Sequence, residues 1–518
     1  MSSVSRILLL TGRMAFNDIR HLADQYDDVE ADVLPISVAA FTTAKLLQRH
    51  GPGLIKKYNP DLIMVSGMAQ GDYTETCEKL GTRVLKGTKN VSGLVFLLDN
   101  IENLAPMLSS TEPADEIIRE EQIAFYQKYV QDLESKVSFD KRNFRLLSGT
   151  TIGIDMPPRV LAEVVDVTSH TIEESLEKAK RLAKFADIID LGSNIEHPDS
   201  ERVAELVSEV RKIGLPVSVD TLDPDEILAG VDAGAELVLS VDRGNIEKLS
   251  RISEDVALVC LPTNVSKGIF PRDPHERVKI CQGICADLEK QGYRKLLADP
   301  LMEAVINPGL MNSLTAYYLY RQLESDRPFL AGFGNVTEFI DSDTQGINTI
   351  LACLGVELGI SVFLTTEERA ATINSTKELK SASIMSYFAK IRQTVPRDVG
   401  YTAFLAKSAF HDPQAVIADS IDEVIVDSSL KSTPDPKGCF RIGVDHQKGV
   451  VLCEQTKPDN TKMCLSSTSS SILVRELVRR EEVSFLDHAA YLGGELMKAE
   501  ICLKIGRNFI QNEEWESM

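Results

Sequence analysis

The feature that most constrains the fold is an eightfold alternation, between Val160 and Ile391, of short apolar runs with segments of helical periodicity. Strands that alternate with helices need crossover connections, which build a parallel sheet. Eight such units in about 230 residues are typical of a closed (β/α)8 barrel. The predicted strands are Leu161–Val167, Asp187–Leu191, Pro216–Asp220, Glu236–Ser240, Val256–Cys260, Lys295–Asp299, Pro328–Ala331 and Ile360–Phe363.

Such barrels place their chemistry at the carboxyl ends of the strands. Asp190, Asp220 and Asp299 stand at the ends of the second, third and sixth predicted strands, and Asp166 lies just past the middle of the first. These four aspartates are therefore the first candidate site residues. The alternative for Asp220-Thr221 and Asp299-Pro300 is that each merely caps the helix that follows.

Length and charge limit the remaining choices. A chain of 518 residues exceeds the size of a single core, so several domains are expected. Its net charge of -21 argues against general binding to nucleic acid or anionic membranes, because such binding needs clustered Lys and Arg. No apolar run approaches the roughly 20 residues that span a bilayer. The nine scattered cysteines form no C-x-x-C pair, which favours reduced thiols and a cytoplasmic location.

The predicted class is α/β: a (β/α)8 TIM barrel flanked by an N-terminal Rossmann-like α/β domain and a small C-terminal α+β domain. The proposed boundaries are 1–110 for the N-terminal domain, 111–145 for a helical linker, 146–396 for the barrel and 397–518 for the C-terminal domain. The N-terminal domain has predicted strands at Ile7–Leu10, Asp32–Leu34, Leu62–Val65 and Leu94–Leu97. The C-terminal domain has a predicted hairpin and two helices, at Phe440–Val444, Gly449–Glu454, Ser469–Arg479 and Leu486–Ile505.

Three motifs at the predicted strand ends carry a family resemblance. They are A-D-I-I-D-L-G-S at 186–193, L-P-V-S-V-D-T at 215–221 and L-A-D-P at 297–300. In this order and spacing, residues 147–391 resemble dihydropteroate synthase and the wider family of pterin-binding barrels. The whole chain is similar to dihydropteroate synthase-related proteins of archaea that use tetrahydromethanopterin. The segment that starts at Leu486 resembles a small archaeal module found beside one-carbon enzymes.

The resemblance implies a transferase of one-carbon cofactor metabolism that acts on a reduced pterin. Tetrahydromethanopterin or a precursor would be substrate or cofactor, and Mg²⁺ is possible. The family's ring-gripping acids correspond to Asp220 and Asp299, while Asp190 and Asn194 would assist binding. Asp166 replaces a family Asn and is a catalytic candidate. No nucleic-acid or membrane partner is expected; a homodimer, or a one-carbon enzyme bound through the C-terminal domain, is possible.

Two departures from the synthase pattern keep other functions open. The loop at 331–338 and the stretch at Phe363-Leu364 lack the basic residues that would assist an anionic leaving group, so unaltered synthase chemistry is not expected. Gly334-Asn335-Val336-Thr337 instead resembles a loop of pterin-dependent methyltransferases, in which Asn335 would be catalytic. The alternative for Asn335 is a left-handed turn. A non-catalytic pterin-binding or scaffold protein is the remaining hypothesis.

Overall fold

A computed structural model describes residues 6–397, 399–405 and 434–512, which form two compact units. One unit follows the ranges Met1–Phe139, Asp155–Pro158 and Ser381–Thr402; the other follows Asp140–Ile154, Arg159–Lys380 and Ala403–Met518. Parts of the proposed C-terminal domain, residues 398, 406–433 and 513–518, lie outside the described residues. No helix in the described ranges is both long and apolar enough to cross a membrane.

The first unit begins with a four-stranded parallel sheet in the order β2-β1-β3-β4, which confirms the Rossmann-like prediction. Its strands are β1 Ile7–Thr11, β2 Val29–Val33, β3 Leu62–Val65 and β4 Arg83–Lys86. The helices of this unit up to residue 139 are α1 Phe16–Ala23, α2 Ala44–Tyr58, α3 Thr74–Leu80, α4 Val91–Asp99, α5 Ile101–Leu104, α6 Ala114–Ile117 and α7 Arg119–Lys136.

One strand prediction in this sheet is wrong. Leu94–Leu97 lies inside α4, and the fourth strand is the earlier segment Arg83–Lys86. Leu94, Phe96, Leu97 and Leu98 are all buried, so this helix is apolar around most of its surface. A short apolar run of this kind has the same sequence pattern as a buried strand, because neither shows an amphipathic period.

The second unit contains a closed barrel of eight parallel strands, each paired with its neighbours in sequence, as predicted. Its strands are β7 Arg159–Val164, β8 Ile188–Gly192, β9 Val217–Asp220, β10 Leu237–Val241, β11 Ala257–Cys260, β12 Leu296–Ala298, β13 Phe329–Gly332 and β14 Ile360–Thr366. The helices between and after them are α8 Ile172–Leu182, α9 Ser200–Val210, α10 Pro224–Asp232, α11 Pro274–Lys290, α12 Leu310–Leu323, α13 Gly334–Thr337, α14 Thr344–Leu358 and α15 Ser375–Ile391.

Local sequence signals fix where several barrel helices begin. Thr171 and Glu174 form a capping box at the start of α8, each side chain accepting the other residue's backbone N–H. At α10, Asp223 accepts from the N–H groups of two first-turn residues, and Pro224 occupies the first helical position. At β9 the cap leaves only residues 221–223 between the strand end and α10, so this connecting loop is short.

A hairpin closes the amino-terminal end of the barrel interior. Its strands are β5 Asn143–Arg145 and β6 Thr151–Gly153, paired antiparallel. Phe144 and Ile152 are buried in one apolar cluster with the inward side chains of the barrel, including Leu161 and Leu237. The lower barrel is therefore a packed core, and the acids of the candidate site lie at its opposite end.

The C-terminal part is a three-stranded antiparallel sheet with two helices. Its elements are β15 Cys439–Asp445, β16 Val450–Thr456, β17 Lys462–Ser467, α16 Ser470–Arg479 and α17 Leu486–Ile505. The third strand was not predicted; Lys462–Ser467 is short, and only Met463 and Leu465 give it an apolar alternation. A cleft of about 950 Å³ lies in this part, with His488 and Tyr491 among its lining residues.

Candidate active site at the carboxyl end of the barrel

Alternation along the strands places a layer of acids above the apolar core. Inward side chains recur every second residue of a strand. Leu161, Ile188 and Leu297 belong to the buried core cluster. Glu163, Asp190 and Asp299 each lie two residues after one of these core residues, on the same inward face. Asp220, the last residue of β9, adds a fourth acid.

Strand register brings three of these acids together. Glu163 pairs with Asp190 across β7 and β8, and Gly192 pairs with Asp220 across β8 and β9. Glu163, Asp190 and Asp220 can each offer one carboxylate oxygen such that the three oxygens lie within 4.8 Å of one another. We call this group the acid triad. Gly192 permits this arrangement, because a Cβ at that position would collide with the Glu163 carboxylate.

The acid triad has few hydrogen-bond donors. The Ser218 hydroxyl donates to Asp190 Oδ1 at 2.5 Å, whereas the buried Asp190 Oδ2 has no partner. Among the described residues, the carboxylates of Glu163 and Asp220 make no hydrogen bond and no ion pair with Lys or Arg. Buried carboxylates normally have such partners. The triad is therefore chemically incomplete and needs protons, a cation or a ligand with donors.

Burial and mutual repulsion shift the titration of these groups. Burial raises the pKa of Asp190 from 3.8 to about 7, although the Ser218 hydroxyl and the Leu191 N–H oppose the shift. Burial, followed by the charges of neighbouring acids, raises the pKa of Glu163 and of Asp220 well above their ordinary values. A raised pKa favours the protonated form of an acid, and a cation or an N–H donor beside the carboxylate opposes that shift.

Asp299 differs from the triad because it is anchored. Its Oδ1 accepts from the Tyr317 hydroxyl at 2.6 Å and from the Leu301 N–H at 2.7 Å. Burial raises the pKa of Asp299 to about 6, against the lowering effect of Tyr317 and Leu301. The charge of Asp299 contributes to the raised pKa of Asp220, so the two carboxylates lie near each other in the same end of the barrel.

The helix-capping alternative for Asp220 and Asp299 does not hold. The N-cap of α10 is Asp223, and that of α12 is Gly309. The one backbone N–H that Asp299 accepts within the described residues is that of Leu301, which lies outside α12. Both carboxylates therefore remain available to the interior of the barrel.

The other predicted site residues lie in loops outside the acid layer. Asp166 was expected inside the first strand, but β7 ends at Val164 and Asp166 follows in a left-handed turn with φ 55°. Its carbonyl accepts from the Ser169 N–H, so the residue shapes the loop. Asn194, after β8, donates its backbone N–H to the Thr168 hydroxyl oxygen and accepts the Glu196 N–H on its side-chain oxygen. Both positions remain predictions as site residues.

Asn335 belongs to the one-turn helix α13, and it does not adopt the left-handed conformation that one alternative required. The side chain is exposed, and its amide nitrogen donates to the Met302 carbonyl at 3.0 Å. This bond ties the loop after β13 to the loop after β12. The side-chain oxygen of Asn335 makes no hydrogen bond within the described residues.

Two basic residues near the carboxyl-end loops are paired with acids outside the triad. Arg243 pairs with Asp287 at 2.7 Å. Arg277 is fully buried, donates to the Pro271 and Leu301 carbonyls and forms an ion pair with Glu303. Arg277 thus holds the loop that carries Asp299, and it lowers the pKa of that acid. Sequence reasoning did not single out Glu163, Tyr317 or Arg277; only the even spacing of Glu163 from Leu161 could have indicated an inward acid.

The acid triad is also the group of side chains, among the described residues, whose geometry suits a metal ion. Oxygen-only ligands favour hard cations such as Mg²⁺. The triad thus fits either such a cation or a ligand rich in N–H donors.

Comparisons with known proteins agree with the resemblance. Residues 434–512 match the family model PterinBD-DUF4346. An uncharacterized protein of Methanocaldococcus jannaschii is 30% identical over 534 residues, covering 99% of each chain. The solved dihydropteroate synthase from Xanthomonas albilineans is 24% identical with a TM-score of 0.34, covering 45% of this chain and 96% of that one. The Thermus thermophilus synthase is 19% identical with a TM-score of 0.37, covering 47% and 97%.

Proposed function

We propose that this chain binds a reduced pterin at the carboxyl end of its barrel. The chain belongs to the same family as the uncharacterized Methanocaldococcus jannaschii protein, and its residues 434–512 match the family model PterinBD-DUF4346. The observation that carries the proposal is the inward acid layer, in which Asp220 is unpartnered and Asp299 is anchored through one oxygen only.

Pterin chemistry complements this layer. The 2-amino group and N3–H form an edge of adjacent N–H donors, and an ionised carboxylate accepts two such donors side by side. Tyr317 and the Leu301 N–H orient Asp299 for this role, while Asp220 faces the same space from β9. Each hydrogen bond to a charged group contributes roughly 1.5–3 kcal/mol, so two acids are sufficient to determine where the ring binds.

We further propose that the protein is a transferase that acts on a reduced pterin in tetrahydromethanopterin or folate-type one-carbon metabolism. Synthase chemistry in its ordinary form is not expected, because Arg243 and Arg277 are both engaged with acids and Phe363 is buried. Loss of pyrophosphate develops negative charge, which needs nearby cations. The acidic surroundings instead suit a reaction in which positive charge on the pterin is stabilised.

Methyl transfer is a second candidate because one feature favours it. The Asn335 side-chain oxygen is free at the carboxyl end of β13, while its nitrogen is fixed by Met302. A protonated N5 of a methylated pterin would find an acceptor there. In a non-catalytic pterin binder, the same side chain would only join the two loops.

An activity and binding comparison distinguishes these functions. Wild-type protein and Asn335→Ala are titrated anaerobically with 5-methyl-tetrahydropterin, and methyl transfer to a thiol acceptor is followed separately. A transferase predicts that Asn335→Ala keeps its pterin affinity and loses turnover. Pterin binding without turnover in either protein assigns a binder. No binding of any pterin by the wild type contradicts the proposed function.

A further inference from the structure

Glu163 is the member of the acid triad that the proposed pterin contacts leave unexplained. It stands on β7 opposite Asp190, inside the barrel, and has no hydrogen-bond partner among the described residues. Gly192 leaves the space that its carboxylate occupies. Glu163 is partly buried, and an acid without a partner at such a position destabilises a protein, which a bound ligand with donors would offset.

The pocket has more hydrogen-bond acceptors than a pterin has donors on the edge that stays the same in every oxidation state. That edge carries the 2-amino group and N3–H in every oxidation state, and Asp220 with Asp299 are sufficient to accept them. Asp190 Oδ2 and both oxygens of Glu163 remain. When these acids are ionised they can only accept, so the ionised pair favours a ligand with additional N–H groups.

Oxidation state decides whether a pterin has those groups. The tetrahydro ring carries N–H at both N5 and N8, the 7,8-dihydro ring carries N–H at N8 alone, and the fully oxidised ring presents lone pairs at both nitrogens. A lone pair that faces a carboxylate is repelled and leaves a buried acid unsatisfied. Sites built to bind a particular donor reject analogues that lack it far more strongly than apolar pockets reject a missing methylene.

We infer that Glu163 is a specificity-determining residue that makes the barrel select the tetrahydro form of a pterin over its dihydro and oxidised forms. The inference rests on the proposed pterin site and adds the oxidation state of its ligand. Glu163 and the neighbouring Asp190 accept hydrogen bonds from the ring nitrogens N5 and N8, whose N–H groups depend on oxidation state. Asp220 and Asp299 accept from the 2-amino group and N3–H, which are always present.

The test is anaerobic calorimetry of the full chain at pH 7.5 with 6-methyl-tetrahydropterin, 6-methyl-7,8-dihydropterin and 6-methylpterin. Wild type should bind them in that order, with the first and last separated by at least about 100-fold in Kd, since two hydrogen bonds to charged groups differ. Glu163→Gln should reduce that separation to less than about tenfold, because an amide can donate to a ring lone pair. Glu205→Gln removes an equal charge from the exposed face of α9 and should retain wild-type selectivity.

Each other outcome has one meaning. Failure of the wild type to bind any of the three rings contradicts the proposed pterin site itself. Equal affinity for all three rings, or unchanged selectivity in Glu163→Gln, overturns the inference while leaving the pterin site in place. If the wild type binds Mn²⁺ tightly and Glu163→Gln abolishes that binding without changing ring selectivity, the triad is a cation site. This outcome also overturns the inference. Gly192→Ala displaces the Glu163 carboxylate and should reproduce the loss of selectivity if Glu163→Gln folds poorly.

Discussion

The acid triad predicts an unusual result for Asp190→Asn: the ligand-free barrel should become more stable. Asp190 is fully buried, with one oxygen bonded to Ser218 and the other unpartnered. Asparagine keeps the oxygen that accepts from Ser218 and replaces the orphaned oxygen with an N–H donor. That donor faces two carboxylates, so repulsion gives way to a hydrogen bond.

The magnitude follows from the raised pKa of Asp190, about 7 against an ordinary 3.8. A shift of three units corresponds to about 4 kcal/mol of destabilisation once the carboxyl is ionised in both states. Because the folded state holds the proton more tightly, the free energy of unfolding decreases as pH rises from about 4 to about 7 and then stays level. The advantage of Asp190→Asn should therefore be largest at pH 8 and shrink toward pH 4.

Urea unfolding at pH 5 and pH 8 measures this difference, with hydrogen exchange of peptides that cover Ile188–Gly192 to confirm that the barrel transition is followed. Asp187→Asn is the matched control, because it makes the same change just before the same strand. There Asp187 pairs with Lys380 at 2.6 Å and accepts the Val160 N–H, so its replacement should reduce stability. A less stable Asp190→Asn protein at pH 8 would refute the assignment of Asp190 as an unsatisfied acid.

Two further predictions concern anchored acids. Tyr317→Phe removes a donor from Asp299 and should raise the pKa of that acid above about 6. Pterin affinity should therefore fall about tenfold near pH 6.5 and recover at pH 8. A ratio of variant Kd to wild-type Kd that does not change with pH in this range would contradict the role of Tyr317. Asp435, buried and bonded to His488, has a pKa well below its ordinary value and contributes stability that is present above about pH 4 and lost on acidification. Asp435→Asn should therefore reduce protection in hydrogen exchange of residues 439–467 at pH 7, by about 1–3 kcal/mol, and equal protection of both proteins would exclude this.

The barrel was predictable because its pattern is redundant. Eight strands each carry a buried apolar run, and a misplaced boundary in one does not change the count. Leu94–Leu97 lacked that support, since an apolar helix and a buried strand have the same local pattern and no repeat distinguishes them. The third C-terminal strand was missed because it is short and only Met463 and Leu465 give it an apolar alternation.

The positions of the candidate site residues were predictable only where strand ends could be located, and their roles stay predictions. Asp190, Asp220 and Asp299 follow from the rule that chemistry lies at the carboxyl ends of barrel strands. Asp166 was misplaced because the first strand ends three residues earlier than its apolar run. Glu163 lies inside that run, and the sequence alone does not show which residues of the strand point into the barrel. The engagement of Asn335 with Met302 depends on two loops 33 residues apart, which no local pattern reveals.

A crystal structure of the full chain with 6-methyl-tetrahydropterin, grown anaerobically, tests the central claim most directly. The account predicts one ring inside the carboxyl end of the barrel, with its 2-amino and N3 nitrogens about 2.7–3.2 Å from carboxylate oxygens of Asp220 and Asp299. A ring bound elsewhere, such as in the C-terminal cleft beside His488 and Tyr491, or an empty barrel in crystals soaked at saturating ligand, would contradict it.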